Sequence, residues 1–128
     1  TKTTNRYFNY IYVRMGAYTL IHKRTEDDIW KNLFELPLVE TEKDLSEEEF
    51  LACPQFHALF AEGEVRMVRT LLRGVKHVLS HRVIYTNFYE VTLPDNSSSF
   101  SSYQRVAVED LGRYAVPRLI HAFLEKYV

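Results

Sequence analysis

The stretch Gly74-Val75-Lys76-His77-Val78-Leu79-Ser80-His81-Arg82-Val83-Ile84-Tyr85 narrows the folds open to this chain more than any other. Val75, Val78, Val83, Ile84 and Tyr85 are strand formers, favoured where a side chain packs on a pleated surface. The same stretch carries two cations, Lys76 and Arg82, two histidines, His77 and His81, and one serine, Ser80. A straight strand through Leu79-Ser80-His81 puts Leu79 and His81 on one face and Ser80 on the other. A tight corner at the triplet pushes all three outward. The segment belongs in a sheet on either reading, and its polar residues are either the wet side of an ordinary strand or an exposed turn.

The flanking chain supplies the rest of a sheet. Arg6 to Met15 is rich in aromatic and branched residues and reads as a strand. Gly16 marks a turn, Ala17 to Lys23 reads as a second strand, and the two are expected to pair as a hairpin. Leu33 to Glu40 reads as a short strand that Pro37 confines to an edge or a bulge. Ser46 with Glu49 three residues later has capping-box spacing, and Pro54 is expected to split the following helix in two. Val65 to Leu72, Val75 to His81 and Arg82 to Leu93 read as strands, with a turn at Arg73-Gly74. Residues 94–102 read as a loop and Val106 to Val108 as a last short strand. Glu109 to Tyr114 reads as a helical turn. From Pro117 onward Leu119, Ile120, Phe123, Leu124 and Tyr127 space as one buried helical face. Strands and helices in this order give an α+β fold with a mixed sheet flanked by helices.

The chain's 128 residues suit one domain, spanning 1–128, and 46% hydrophobic content is enough for a core. No apolar run approaches the ~20 residues of a membrane span. The opening Thr1 to Arg6 has no apolar segment after its charges, so no signal peptide is expected. The lone Cys53 leaves no internal disulfide and fits a reducing compartment. The net charge of -1 hides a strong segregation. Residues 1–25 hold five cations and no carboxylate, residues 26–64 hold twelve carboxylates and two cations, and residues 65–89 hold five cations and no carboxylate. A chain of neutral total can thus carry a basic face suited to a polyanion.

Several chemistries are missing. No glycine lies between Gly16 and Gly63, and no phosphate-binding loop of Walker type occurs anywhere. His77 and His81 have no carboxylate beside them in sequence to complete a metal site, and no zinc pattern is present. Glu47, Glu48 and Glu49 are accounted for as the favoured first-turn charges of a helix.

Five segments together carry a family likeness. They are Asn5-Arg6-Tyr7-Phe8-Asn9-Tyr10, His22-Lys23-Arg24, Ile29-Trp30-Lys31-Asn32-Leu33-Phe34-Glu35-Leu36-Pro37-Leu38-Val39-Glu40, Lys76-His77-Val78-Leu79-Ser80-His81, and Tyr114-Ala115-Val116-Pro117-Arg118-Leu119-Ile120. Spread over almost the whole chain, they resemble the C-terminal domain of MutY-type adenine DNA glycosylases. The resemblance implies a Nudix-like fold without a functional Nudix box, since the Arg-Glu-x-x-Glu-Glu metal helix of Nudix hydrolases is absent. It implies a non-catalytic segment that helps recognise 8-oxoguanine paired with adenine, within a base-excision-repair glycosylase. Catalytic residues and an iron–sulfur cluster are implied for an N-terminal catalytic domain outside this segment, because the lone Cys53 cannot hold such a cluster. No cofactor or metal is expected here. The implied partners are double-stranded DNA carrying the 8-oxoguanine:adenine mispair and that catalytic domain, with no membrane. The implied location is the bacterial cytoplasm at the nucleoid.

The resemblance maps lesion recognition onto Leu79, Ser80 and His81, with Leu79 standing where an aromatic residue is common. Lys76, His77 and Arg82 are the expected contacts to the DNA backbone. The serine's part follows from chemistry. Guanine presents N7 as an acceptor in the major groove. Oxidation turns N7 into an N–H donor and adds an acceptor at O8. A hydroxyl accepts and donates at once, whereas a lysine only donates. Two alternatives stand beside this reading: a Nudix-type nucleotide pyrophosphohydrolase, which the missing metal helix disfavours, and a protein-interaction domain built on Tyr7 to Tyr12 or on the acidic residues 26–64.

Overall fold

The computed structural model describes residues 3–128. The first aromatic run folds as β1 (Thr4–Arg14) and turns at Gly16 into β2 (Tyr18–Lys23). Gly16 sits at φ +60°, and a Cβ there would lie 3.0 Å from Asp95 Oδ1, so the turn needs glycine on both counts. The expected hairpin does not form. One bridge joins Met15 to Tyr18, and the two strands then part into different sheets. The reason lies in β1 itself, whose residues Phe8 to Val13 are buried without a break. A strand buried on both faces needs neighbours on both edges and cover above and below.

Those neighbours come from afar. β1 pairs antiparallel with β4 (Leu38–Thr41) and parallel with β6 (Arg82–Thr92). β6 pairs antiparallel with β5 (Met67–Leu79), giving a mixed sheet in the order β4-β1-β6-β5. The single strand expected over Leu33 to Glu40 is cut at Pro37, which has no N–H for a ladder. β3 (Phe34–Glu35) joins β2 and β7 (Gln104–Ala107) in a second, antiparallel sheet in the order β3-β2-β7, while β4 crosses to the first. The turn expected at Arg73-Gly74 is instead a bulge inside one long strand. The pairing register slips between Leu72 and Val75, Gly74 takes φ +71°, and its N–H donates to Asn87 Oδ1 at 2.8 Å.

The helices match the expectation closely. Ser46 caps α1 (Glu47–Ala52) with both capping-box hydrogen bonds, and Pro54 opens the separate α2 (Pro54–His57). A 3-10 helix over Val108–Arg113 precedes α3 (Arg118–Tyr127). One core lies between the two sheets and α3, where Phe123 stacks on Phe88 with centroids 4.1 Å apart. A second lies under α1 and α2, where Phe50 stacks on Tyr89 at 4.6 Å. The α+β architecture with a mixed sheet flanked by helices is therefore the one the sequence predicts. Among the described residues no helix is long and apolar enough to cross a membrane.

Candidate nucleic-acid interface

The triplet at 79–81 is a corner. Leu79 ends β5, Arg82 opens β6 opposite it, and Ser80 and His81 form the turn between them. Both turn residues are exposed. Their backbone is held from the far end of the chain, because the Thr4 N–H donates to the His81 carbonyl at 3.0 Å. Leu79 differs from its two neighbours. It is half-buried and packs against the core between the sheets.

Strand alternation sorts the remaining predicted residues onto two faces. Lys76 and Val78 point to one face, beside their cross-strand partners Tyr85 and Val83. Lys76 is exposed and Val78 is 66% exposed. Tyr85 stacks on Tyr7 of β1 at 5.5 Å, so a half-buried apolar strip runs up to the turn on this side. His77 and Arg82 lie on the opposite face, with Arg82 exposed and His77 half-buried against Trp30. Lys76, Ser80, His81 and Arg82 are thus all at the surface of one hairpin tip, while Leu79 and His77 are partly drawn into packing.

The fold neutralises several cations of the basic segments. Arg6 pairs with Asp28 and Glu40, Arg24 with Asp28 and Glu35, Arg69 with Glu90 and Arg73 with Asp44. Among the described residues no carboxylate pairs with Lys76 or Arg82. Of the five cations in residues 65–89, Lys76 and Arg82 stand beside the turn without a carboxylate partner among the described residues, while Arg66 at the far end of β5 donates to the Gly63 carbonyl.

Behind the tip sits a charge cluster that the sequence reading did not isolate. Glu35 is only 2% exposed. It accepts from Tyr10 Oη at 2.8 Å and from Arg24 Nη1 at 3.0 Å. His22 Nε2 lies 2.9 Å from its other oxygen, at ion-pair distance but off the hydrogen-bond direction. Hydrogen bonds from Arg6 hold the Asp28 carboxyl down to about 2. Burial, reinforced by the Glu35 charge, pushes the Tyr10 phenol well above its usual range. These pairs tie the loop 24–33 to β1, β3 and β4, and they frame two residues with left-handed backbone, Trp30 at φ +59° and Asn32 at φ +72°. A bulky residue in that conformation costs on the order of 1–3 kcal/mol and persists only where its surroundings enforce it. In sequence Trp30 follows a polar, loop-like stretch and belongs to one of the segments that carry the family likeness, but nothing local signals its conformation.

The helix after β4 is the segment to weigh for metal chemistry. Glu49 is engaged in the α1 capping box, and Glu47 accepts from Thr70 Oγ1. Among the described residues no group of three or more His, Cys, Asp or Glu side chains converges as a ligand set.

The likenesses to known proteins agree with this architecture. The C-terminal domain of mouse MUTYH, solved in complex with human PCNA, superposes with a TM-score of 0.67 at 15% identity, covering 95% of this chain and 86% of that one. A MutT protein from Methanosarcina mazei Go1 superposes with a TM-score of 0.63 at 17% identity, covering 98% and 94%. A Nudix hydrolase from M. smegmatis, RenU, gives a TM-score of 0.59 at 11% identity, covering 98% and 84%. Identities this low speak for the fold alone. No curated protein matches the sequence. The NUDIX domain profile matches residues 9–126, nearly the whole chain, and on that ground the chain belongs to the NUDIX family.

Proposed function

We propose that this chain is the lesion-recognition domain of a MutY-type adenine DNA glycosylase, and that its β5–β6 turn meets 8-oxoguanine in an 8-oxoguanine:adenine pair. The observation that carries the reading is the corner at Ser80-His81. Two exposed polar residues stand at the end of a hairpin, with Lys76 and Arg82 unneutralised on its two flanks. Ser80 accepts from N7–H of the oxidised base and adjusts its own hydrogen to O8. His81 extends the contact, and Leu79 supports the turn from beneath. Lys76 and Arg82 meet phosphates, which position the hairpin without carrying sequence information. His77 acts on the DNA backbone only through the hairpin it helps to set. The domain holds no cofactor or metal, works beside a catalytic domain of the same protein, and acts where the bacterial chromosome lies. The likeness to the mouse MUTYH domain supports the frame, and the matched segments in the sequence support the role.

Affinity of the chain for matched duplexes carrying 8-oxoguanine:adenine or guanine:adenine, at low salt, tests the reading. The expected result is weak binding with a clear preference for the oxidised duplex. Equal affinities contradict it. The MutT likeness at a comparable TM-score favours a second reading, nucleotide pyrophosphohydrolysis. Its test is magnesium-dependent hydrolysis of nucleoside triphosphates. We expect none above a buffer blank, and turnover that is lost on changing Glu47, Glu48 and Glu49 together to Gln would establish the hydrolase instead.

A further inference from the structure

We propose that Trp30 is a positioning residue for the recognition turn, acting through His77. The inference rests on the reading that Ser80 and His81 meet the oxidised base, and deepens it by naming what holds them in place. Trp30 lies on neither strand that bears the turn, yet its ring reaches one of them, β5, and also β1, which pairs with the other. Its centroid is 5.9 Å from Phe8 on β1 and 5.9 Å from His77 on β5, both in edge-on geometry. His77 is the one ring-bearing side chain of β5. It lies three residues before Ser80, on the same face as Leu79.

On the other face Val78 is 66% exposed, so near the tip the side chains of β5 are packed on the Trp30 side. β6 is held by β1 as far as Arg82, but β5 is the outer strand of the sheet and has no neighbour on its other edge. Support near the tip sets where the turn points. The cluster behind the loop gives Trp30 the stiffness for this task. The Arg24 N–H donates to the Leu33 carbonyl at 2.8 Å, and the Asn32 N–H to the Arg24 carbonyl at 2.7 Å. Arg24 Nε donates to the Ile29 carbonyl at 3.0 Å, and Asp28 is clamped by Arg6 and Arg24 together. The left-handed backbone at Trp30 is thereby enforced from both sides, which is the usual condition for strain kept at a working site.

The test uses the whole chain, with affinities for the 8-oxoguanine:adenine and guanine:adenine duplexes and the amide NMR spectrum as readouts. Trp30→Leu should lower the preference for the oxidised duplex about 5- to 10-fold, the scale of a displaced polar contact, with little change on the undamaged duplex. Trp30→Phe should restore most of it, because a ring edge again faces His77. The amide shifts of Leu79 to Arg82 should move in Trp30→Leu while those of α1 and α3 stay in place. A purely structural tryptophan would instead lower Tm and weaken both duplexes alike. If Trp30→Leu does not fold, His77→Leu removes the same contact from the other side and is read in the same way. An unchanged preference in Trp30→Leu, with Ser80→Ala still lowering it, overturns this inference and leaves the functional reading standing. If the wild-type chain has no preference, the functional reading fails, and unmoved amide shifts at 79–82 then overturn the positioning role separately.

Discussion

Ser80 and Lys76 sit four residues apart on one hairpin, and on the proposed reading they answer to different parts of a duplex. The serine hydroxyl is suited to a base edge whose donor and acceptor have been exchanged by oxidation. The lysine ammonium has only donors and an unneutralised charge, which suits a phosphate. Lys76→Ala should therefore weaken binding to oxidised and undamaged duplexes equally, and should reduce the slope of log affinity against log salt by about 1. A salt titration of wild type and variant measures this. A second residue-scale expectation concerns acid. The Asp28 carboxyl is depressed from 3.8 to about 2, chiefly by hydrogen bonds from Arg6. A carboxyl depressed in the folded state contributes stability that is fully present above its unfolded value and is lost as pH falls through the folded one. The stability difference between wild type and Asp28→Asn should thus be constant above about pH 5 and shrink as pH falls from 3.8 towards 2. Urea unfolding at a series of pH values checks this, and a difference that grows on acidification would reverse the assigned sign.

At the scale of elements, the cluster around Glu35 does what hydrophobic contacts do elsewhere in the chain. It fastens the second sheet, through β2 and β3, to Tyr10 on β1. Removing one partner of a buried ion pair strands the other, so Glu35→Ala should cost about 3–5 kcal/mol in urea unfolding. Glu40, whose side chain is 40% exposed in its pair with Arg6, should cost under about 1 kcal/mol when replaced by Ala. Equal costs at the two positions would mean that the cluster is not insulated from water. The cluster also marks the limit of sequence reasoning about elements. The capping box at Ser46, the break at Pro54 and the buried face of α3 were legible because each signal lies within a few residues. The partners of β1 were not, because a parallel pairing between residues 4–14 and 82–92 leaves no local trace. The hairpin expected at Gly16 failed for that reason: the turn was read correctly, and the competition for β1 was invisible. At Gly74 the same glycine signal served a bulge instead of a turn, because β6 offered a continuous partner on both sides of it.

Over the whole molecule, folding rearranges the charge segregation seen along the sequence. Two runs of cations flank an acidic stretch in the chain, but Arg6 and Arg24 are turned into that stretch and neutralised by it. Lys76 and Arg82 keep their charge unopposed near the turn, while Lys23 lies over the Phe34 ring and Arg66 donates to the Gly63 carbonyl. The candidate site was legible as a polar break in a strand, and the family resemblance, not the residue types alone, suggested what it meets. Its exposure, the tether from Thr4 and the support from Trp30 came only with the tertiary structure, since each joins residues far apart in the chain. The central claim is that the Ser80 hydroxyl distinguishes the oxidised base from guanine. The most direct measurement is the affinity of wild type and Ser80→Ala for matched duplexes carrying either base opposite an adenine analogue. The account predicts that Ser80→Ala keeps its fold and loses about 1–3 kcal/mol of the preference for 8-oxoguanine, roughly 5- to 150-fold, with the undamaged duplex bound as before. Equal losses on both duplexes, or no loss with Leu79→Ala and His81→Ala also silent, would contradict it.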